Sequence, residues 1–349
     1  MKYRTLILSV LLAGTFLGIC NGCSSDSSAT FTPTDTAAEQ YSKRANPIIR
    51  ERFSSDPAAL VHNERVWLYT GHDEASIYSN FFVMDDWQLY SSDDMVNWEH
   101  HGSPVSVETF NWAQSDAWAS QAIKRNGRFY FYSTVRHATI NGFAIGVAVA
   151  DRPEGPFKDA RGNALISNDM TQGPIVNGQE MDWDDIDPTI FIDKDEQAYL
   201  FWGNTVLYYA KLKNNMIELD GPIRTLDVPS FTEAPWIHQY GDTYYLSYAY
   251  EFPEKIAYAT ADQITGPYTF QGVINQPIPG SPTNHQSIIK YKDNWYFFYH
   301  NALLPSGGEF RRSVAVERMF YNEDGEIFPI KQARYGLDVE PPPGAVLGN

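Results

Sequence analysis

The sequence predicts an all-β fold, a five-bladed β-propeller with four antiparallel strands in each blade. Three observations lead to this prediction. A short apolar run, a small polar turn and an aromatic-rich run follow one another five times along the chain. No amphipathic helix of useful length interrupts the series, which disfavours a fold that alternates strands and helices. Aromatic residues, which are common in strands, make up 15% of the sequence.

Each repeat starts with a β-hairpin, because its two apolar runs are joined by a turn rich in Asn, Asp and Gly. The hairpins open near positions 56, 118, 187, 233 and 285, so their starts are 46 to 69 residues apart. The strand pairs are predicted at 58–61 and 66–69, 121–123 and 129–132, 189–192 and 198–201, 235–237 and 244–248, and 287–289 and 295–299.

A third strand follows each hairpin, and a short fourth strand fits after it. In three repeats a Gly-Pro turn ends the third strand, at Gly155-Pro156, Gly221-Pro222 and Gly266-Pro267. Four strands at this period are typical of a propeller blade. A β-sandwich is the alternative, but it would not repeat the same hairpin five times.

The N-terminus predicts export. Lys2 and Arg4 precede an apolar run at 6–19, which is too short for a stable membrane span. The Cys-Asn-Gly-Cys segment that follows resembles a lipoprotein cleavage box, so residues 1–22 are predicted to be a signal peptide and Cys23 to carry lipid. Ordinary secretory cleavage near Ala29 is the alternative. We therefore expect an exported protein, periplasmic or at the cell surface, that meets the membrane only through an N-terminal lipid.

Residues 23–45 are rich in Ser, Thr and Ala and predict a flexible tether, which leaves 46–349 for the propeller. Cleavage before Cys23 leaves one cysteine, so no intrachain disulfide is expected. The formal net charge is −17, which argues against nucleic acid as a partner, since phosphate binding draws on an excess of Lys and Arg.

Three of the five hairpins open with a carboxylate. These are Asp56, Asp187 and Glu233, and the first strands of propeller blades line one central channel. The two aspartates precede proline, which is expected to hold them extended. Asp is also common at the ends of strands simply because it is favoured in turns. Three carboxylates in register instead indicate a crowded site, where like charge separates pKa values and supplies an acid and a base at the same pH.

The chain from about residue 46 to 339 resembles glycoside hydrolase family 43. The stretches that carry the resemblance are Asn46-Pro47-Ile48-Ile49, Asp56-Pro57-Ala58, Asp187-Pro188-Thr189-Ile190-Phe191, Glu233-Ala234-Pro235, Asn284-His285-Gln286-Ser287 and Arg311-Arg312-Ser313-Val314-Ala315-Val316. The resemblance implies that Asp56 is the general base, Glu233 the general acid, and Asp187 the residue that tunes and orients the acid. Asp85-Asp86-Trp87 and Trp118-Ala119-Ser120 resemble the arabinoxylan arabinofuranohydrolase and xylosidase branch.

The resemblance also implies roles for residues near the channel. Arg312 would bind a sugar hydroxyl or steady the acid, while Arg311 is expected to be solvated on the other side of its strand. His285 would hold a central calcium ion through water, or hydrogen-bond across the channel; a lone imidazole is a poor ligand for Ca²⁺. Phe53 and Trp118 are candidates for an apolar wall against the sugar ring, with burial in the core as the alternative. No cofactor is expected for the chemistry.

The predicted function is an inverting, exo-acting glycosidase that releases terminal α-L-arabinofuranosyl or β-D-xylosyl units from plant cell-wall xylan. The insertions at 74–86 and 167–184 are expected to build part of the pocket wall and favour exo action. An endo-acting arabinanase or xylanase is the second enzyme hypothesis. A non-catalytic carbohydrate-binding propeller is the third, but it predicts the loss of one of the three carboxylates, and all three are present.

Overall fold

The computed structural model describes residues 42–176 and 178–347. Within this part of the chain five antiparallel sheets form blades and a sixth is a separate hairpin, and each blade contains the strand that the sequence predicts to line the channel. The first strands contact their neighbours in a closed cycle, blade one to two, three, four, five and back to one. The predicted five-bladed β-propeller is confirmed.

The strands are numbered in chain order. Blade one contains β1 (Ser54–His62), β2 (Arg65–His72), β3 (Asp86–Ser92), β4 (Glu99–His100) and β5 (Val105–Ser106). Blade two contains β6 (Ala113–Ser115), β7 (Ser120–Arg125), β8 (Arg128–His137), β9 (Phe143–Ala150), β10 (Lys158–Asp159) and β11 (Ile166–Ser167). A separate hairpin is formed by β12 (Ile175–Val176) and β13 (Gln179–Glu180).

Blade three contains β14 (Thr189–Ile192), β15 (Ala198–Trp202), β16 (Leu207–Leu212) and β17 (Arg224–Leu226). Blade four contains β18 (Trp236–Tyr240), β19 (Thr243–Tyr250), β20 (Lys255–Ala261) and β21 (Thr269–Asn275). Blade five contains β22 (Ser287–Tyr291), β23 (Asn294–Asn301) and β24 (Ser313–Met319). Short 3-10 helices span Val107–Thr109 and Gly336–Asp338.

The apolar core lies between the faces of neighbouring blades. Apolar side chains of blades one and two pack together, for example Tyr69 on Phe131 at 5.4 Å between ring centroids. Equivalent clusters join blades two and three, three and four, and four, five and one. Aromatic side chains bury a large area each, so the high aromatic content supplies this face-to-face packing.

Blades three and four have the four predicted strands, whereas blade five has three within the described residues. The segment that leads into β1 covers the free edge of β24. The backbone amides of Ile48 and Ser54 donate to the carbonyls of Val314 and Arg312, both at 2.9 Å, and the Asn46 side chain bonds Val316. The N-terminal segment thus takes the place of a fourth strand and ties blade five to blade one.

The expectation that proline holds both channel aspartates extended is wrong. Asp56 and Asp187 have φ angles of 45° and 59°, and Ala234, beside Glu233, has 54°. Side chains of the preceding blade hold each of these backbones. The amide of Asp56 donates to His300 Nδ1 at 3.3 Å, and that of Asp187 donates to Thr134 Oγ1 at 2.9 Å. Left-handed backbone in non-glycine residues is strained and persists where the surroundings fix it.

The predicted signal peptide, Cys23 and the tether up to residue 41 lie outside the described residues. Arg44 pairs with Asp338 and Ala45 is buried, so the chain already packs on the propeller before residue 46. The part that the structure describes contains no helix that is long and apolar enough to cross a membrane.

Candidate active site

A pocket of about 340 Å³ lies where the first strands of the blades begin. All five blades contribute to its lining. Its polar lining residues are Asp56, Arg136, Asp187, Asn204, Glu233, Thr283, His285 and Arg312. The structure therefore brings together the three carboxylates that the sequence singles out, although 46 or more residues separate each from the next.

Asp56 lies at a bulge in β1, where the pairing with β2 shifts between Ser55 and Ala58. Its carboxylate accepts a hydrogen bond from Arg312 Nη1 at 3.0 Å, and His300 Nδ1 lies 3.3 Å from the same oxygen. His300 Nε2 lies 3.0 Å from the Thr283 carbonyl, which fixes the orientation of the ring. Asp56 is therefore held rigidly by two side chains of blade five.

Arg312 is a buried cation with a second carboxylate partner, Asp73. The guanidinium donates from Nε and Nη2 to the two Asp73 oxygens, both at 2.9 Å, in a bidentate pair. The Arg312 amide donates to Asp73 Oδ2 at 2.8 Å, and Ser55 Oγ donates to Asp73 Oδ1 at 2.9 Å. Such planar pairs fix both position and orientation, so Arg312 holds Asp56 from a rigid base.

Asp187 and Glu233 are linked through the backbone of blade four. The Ala234 amide donates to Asp187 Oδ2 at 3.0 Å, which orients the residue directly after Glu233. Asn204, which follows β15, donates from Nδ2 to Glu233 Oε2 at 2.7 Å. Glu233 is thus positioned by two residues of blade three, one on its side chain and one on its backbone.

The electrostatic environment gives the carboxyl groups different pKa values. Burial by itself would raise the pKa of Asp56, but Arg312, followed by His300, lowers it well below its usual range. Loss of hydration and then the charge of Asp56 raise the pKa of Glu233 to about 7. Loss of hydration, followed by Glu233 and Asp56, also raises the pKa of Asp187. At pH values below about 7 the pocket therefore holds an ionised Asp56 and a Glu233 that is mostly protonated.

His285 lies between two of the carboxylates. Its Nδ1 atom is 3.7 Å from Asp187 Oδ2 and 3.9 Å from Asp56 Oδ1. Burial lowers the pKa of His285 to about 4, so the ring is neutral at physiological pH. Among the described residues no group of three or more His, Cys, Asp and Glu side chains is arranged to hold a metal ion.

Trp118 lines the pocket as predicted, whereas Phe53 does not. Trp118 stacks on Phe143 with 4.1 Å between ring centroids. The 74–86 insertion supplies an aromatic wall through Phe82, which lines the pocket. The Phe82 ring centroid lies 4.6 Å from the guanidinium carbon of Arg312 and 5.9 Å from the ring centroid of Trp118. Phe81 stands beside Phe82 and is 54% exposed. Phe53 is not among the residues that line this pocket, which leaves the alternative role of packing outside it.

The 167–184 insertion contributes Trp183, which lines the pocket and is 41% exposed. The base of this insertion is fixed by Asp185, which accepts hydrogen bonds from Trp202 Nε1 and Thr171 Oγ1, both at 2.7 Å. Both insertions therefore form pocket wall, as the sequence predicts.

Sequence reasoning missed a second set of site residues. Asp73, Arg136, Asn204 and His300 lie at or just past the ends of the second strands of their blades. In an antiparallel hairpin the end of the second strand lies opposite the start of the first; Ser54, for example, pairs with His72. Polar residues at the ends of the second strands could therefore have been predicted from the sequence to belong to the site.

Comparisons with known proteins agree with this geometry. The family model "Glycosyl hydrolases family 43" matches residues 44–327. A xylosidase/arabinosidase of Bacteroides ovatus is 30% identical over 327 residues, which cover 80% of this chain and 95% of that protein. An arabinoxylan arabinofuranohydrolase of Bacillus subtilis is 29% identical over 356 residues, which cover 87% of this chain and 67% of that protein.

A solved structure with a similar fold is a β-xylosidase/α-arabinofuranosidase from a compost microbial metagenome, in complex with xylotriose. Its TM-score is 0.71 at 27% identity, and the match covers 82% of this chain and 97% of that chain. The family match extends over most of the propeller and includes all five blades. With three carboxylates gathered in one pocket, the chain belongs to family 43 of the glycosyl hydrolases and is a glycosidase.

Proposed function

We propose that the enzyme releases single terminal pentose units, α-L-arabinofuranosyl or β-D-xylosyl, from xylan-type polysaccharides. The observation that carries the proposal is the pair of carboxyl groups in one pocket, Asp56 bonded to Arg312 and Glu233 bonded to Asn204, with the pKa of Glu233 raised to about 7. Glycosidases need such a pair. The pocket volume of about 340 Å³ and the walls on two sides favour a chain end over an internal segment. The relatives named as xylosidases and arabinosidases support a pentose.

The proposed mechanism is a single displacement. Asp56 accepts a proton from a water molecule whose oxygen attacks the anomeric carbon, while Glu233 donates its proton to the departing glycosidic oxygen. The two groups come from blades one and four, with blade five between them, and this placement suits the wide spacing that inversion needs. Asp187 positions Glu233 through the amide of Ala234. Arg312 keeps Asp56 ionised.

Proton NMR during hydrolysis tests both the function and the stereochemistry. Aryl arabinofuranoside, aryl xyloside, arabinoxylan and linear xylo-oligosaccharides are the substrates, and the first-formed sugar is expected to be a free pentose of inverted anomeric configuration. Asp56→Ala should abolish turnover of every substrate, because every leaving group needs the activated water. Release of longer oligosaccharides first would contradict exo action, and a retained configuration would make Asp56 a nucleophile.

The second prediction concerns the acid. Because Glu233 must be protonated to act and its pKa is raised to about 7, activity should fall as the pH rises through about 7. Asp56 keeps its charge to low pH and adds no acid limb near neutrality. Glu233→Gln should slow natural oligosaccharides by about 10²–10⁴-fold but activated aryl glycosides far less, since their leaving groups need little protonation. Equal losses on both substrate types would exclude Glu233 as the acid.

We propose that the chemistry needs no cofactor and that any calcium ion near His285 is structural and held through water. The neutral imidazole offers one nitrogen ligand, and Ca²⁺ prefers several oxygens. Dialysis against EDTA is expected to leave kcat unchanged, while a fall in Tm that Ca²⁺ reverses would locate an ion in the fold. Loss of kcat that only Ca²⁺ restores would contradict the proposal.

We also propose that the mature enzyme is an exported lipoprotein anchored at Cys23, and that the chain between Cys23 and the packed residues Arg44 and Ala45 is the tether to the propeller. The cleavage box after the apolar run supports this. Wild type and Cys20→Ala should enter the detergent phase in a partition assay, whereas Cys23→Ala should remain in the aqueous phase. A wild-type protein found in the aqueous phase would refute the lipid anchor.

A further inference from the structure

Two loops from blades at opposite ends of the chain meet at the rim of the pocket. The blade-one loop (residues 74–85) joins β2 to β3, and the blade-five loop (residues 302–311) joins β23 to β24. Phe82 of the first packs edge-on against Phe310 of the second, with 4.9 Å between ring centroids and 86° between planes. Phe81 lies 6.2 Å from Phe310. The apolar pocket wall therefore depends on how these loops are held together.

Arg311 joins them by hydrogen bonds. Its Nη1 atom donates to the carbonyl of Ser76 in the blade-one loop at 2.8 Å, and its Nε atom donates to the carbonyl of Ser306 at 2.6 Å. Its backbone is fixed by a tight turn, in which Arg311 and Gly308 exchange amide–carbonyl bonds of 2.9 and 3.1 Å. Arg311 is therefore at the surface, as expected, and its guanidinium also bridges two blades.

Phe81 and Phe82 also pack on Trp118 and Phe310, but the tip of the blade-one loop at residues 76–80 is mostly exposed and has few hydrogen bonds to other blades among the described residues. The Ser79 amide donates to the Ser76 carbonyl, and the Ser76 amide donates to Ser79 Oγ, so these bonds stay within the loop. Tyr78 is 90% exposed. Loops with little buried area and mostly local hydrogen bonds open at low cost. The Arg311 bond to Ser76 crosses from the loop to another blade, so its loss should loosen the tip.

We propose that Arg311 is a positioning residue that latches the blade-one loop and thereby sets Phe81 and Phe82 as the pocket wall. The inference rests on the proposed function, since it assigns that wall to substrate binding. Arg311 does not touch Asp56 or Glu233 in the described contacts, so its effect falls on binding and not on proton transfer. The neighbouring Arg312 holds the base, and the two consecutive arginines divide these tasks.

The test compares Arg311→Ala with Arg128→Ala. Arg128 is an exposed arginine at the end of blade two away from the pocket, and within the described part of the chain it pairs with Asp151 at 3.5 Å. For Arg311→Ala we expect KM to rise about tenfold with kcat within about twofold of wild type, the signature of lost uniform binding. Arg311→Lys should give an intermediate KM, because an ammonium reaches one carbonyl in place of two. Arg128→Ala should match wild type.

Limited proteolysis provides a second readout that does not depend on activity. Chymotrypsin should cut after Tyr78 or Phe81 several times faster in Arg311→Ala than in wild type, with Arg128→Ala unchanged. If Arg311→Ala does not fold, Arg311→Lys carries both measurements. An unchanged KM, an unchanged cleavage rate, or a fall in kcat with KM unchanged would contradict the proposal that Arg311 holds the blade-one loop in place. A wild-type enzyme that releases no pentose would refute the proposed function. The cleavage rates alone would then show whether Arg311 holds the blade-one loop.

Discussion

The buried pairing of Arg312 with Asp73 and Asp56 is the interaction on which the rest of the site depends. A guanidinium removed from water is costly unless its donors are matched, and here two carboxylates and the Ser55 hydroxyl match them. Removing one partner of such a buried pair costs about 3–5 kcal/mol, because a charge is left uncompensated. The bidentate bond to Asp73 makes Arg312 a fixed part of the scaffold, and the fixed cation in turn keeps Asp56 ionised.

The same interaction also gives the acid and the base different pKa values. An ionised Asp56 raises the pKa of Glu233 through its charge, in addition to the larger effect of lost hydration. The acid therefore keeps its proton because it has lost its hydration and because the base beside it stays charged. The contacts also join the last blade to the first. Arg312 lies directly before β24 of blade five, while Asp56 and Asp73 belong to blade one. Ring closure and charge separation are thus one structural feature.

The sequence predicts those parts of the site that follow from the repeat. Asp56, Asp187 and Glu233 are recognisable because each lies at the start of the first strand of a blade or just before it, and these strands line one channel. Asp73 and His300 follow from the same hairpins once the antiparallel partner of each opening residue is considered.

Other features depend on contacts that no local pattern specifies. The left-handed backbone of Asp56 is held by His300, 244 positions away, and the blade-one loop is held by Arg311, 235 positions from Ser76. Phe53 is an aromatic residue close to Asp56 in the sequence, but it is Phe82 that lines the pocket, where it packs on Arg312 and Phe310.

The most direct test of this account is the titration of Glu233 by carbon-13 NMR of protein labelled at its glutamate side-chain carboxyls. Glu233→Gln assigns the signal by its disappearance. The account predicts a midpoint near 7 in wild type and a clearly lower midpoint in Asp56→Asn, where the neighbouring negative charge is gone. A wild-type midpoint near that of an exposed glutamate, or a midpoint unchanged by Asp56→Asn, would contradict it.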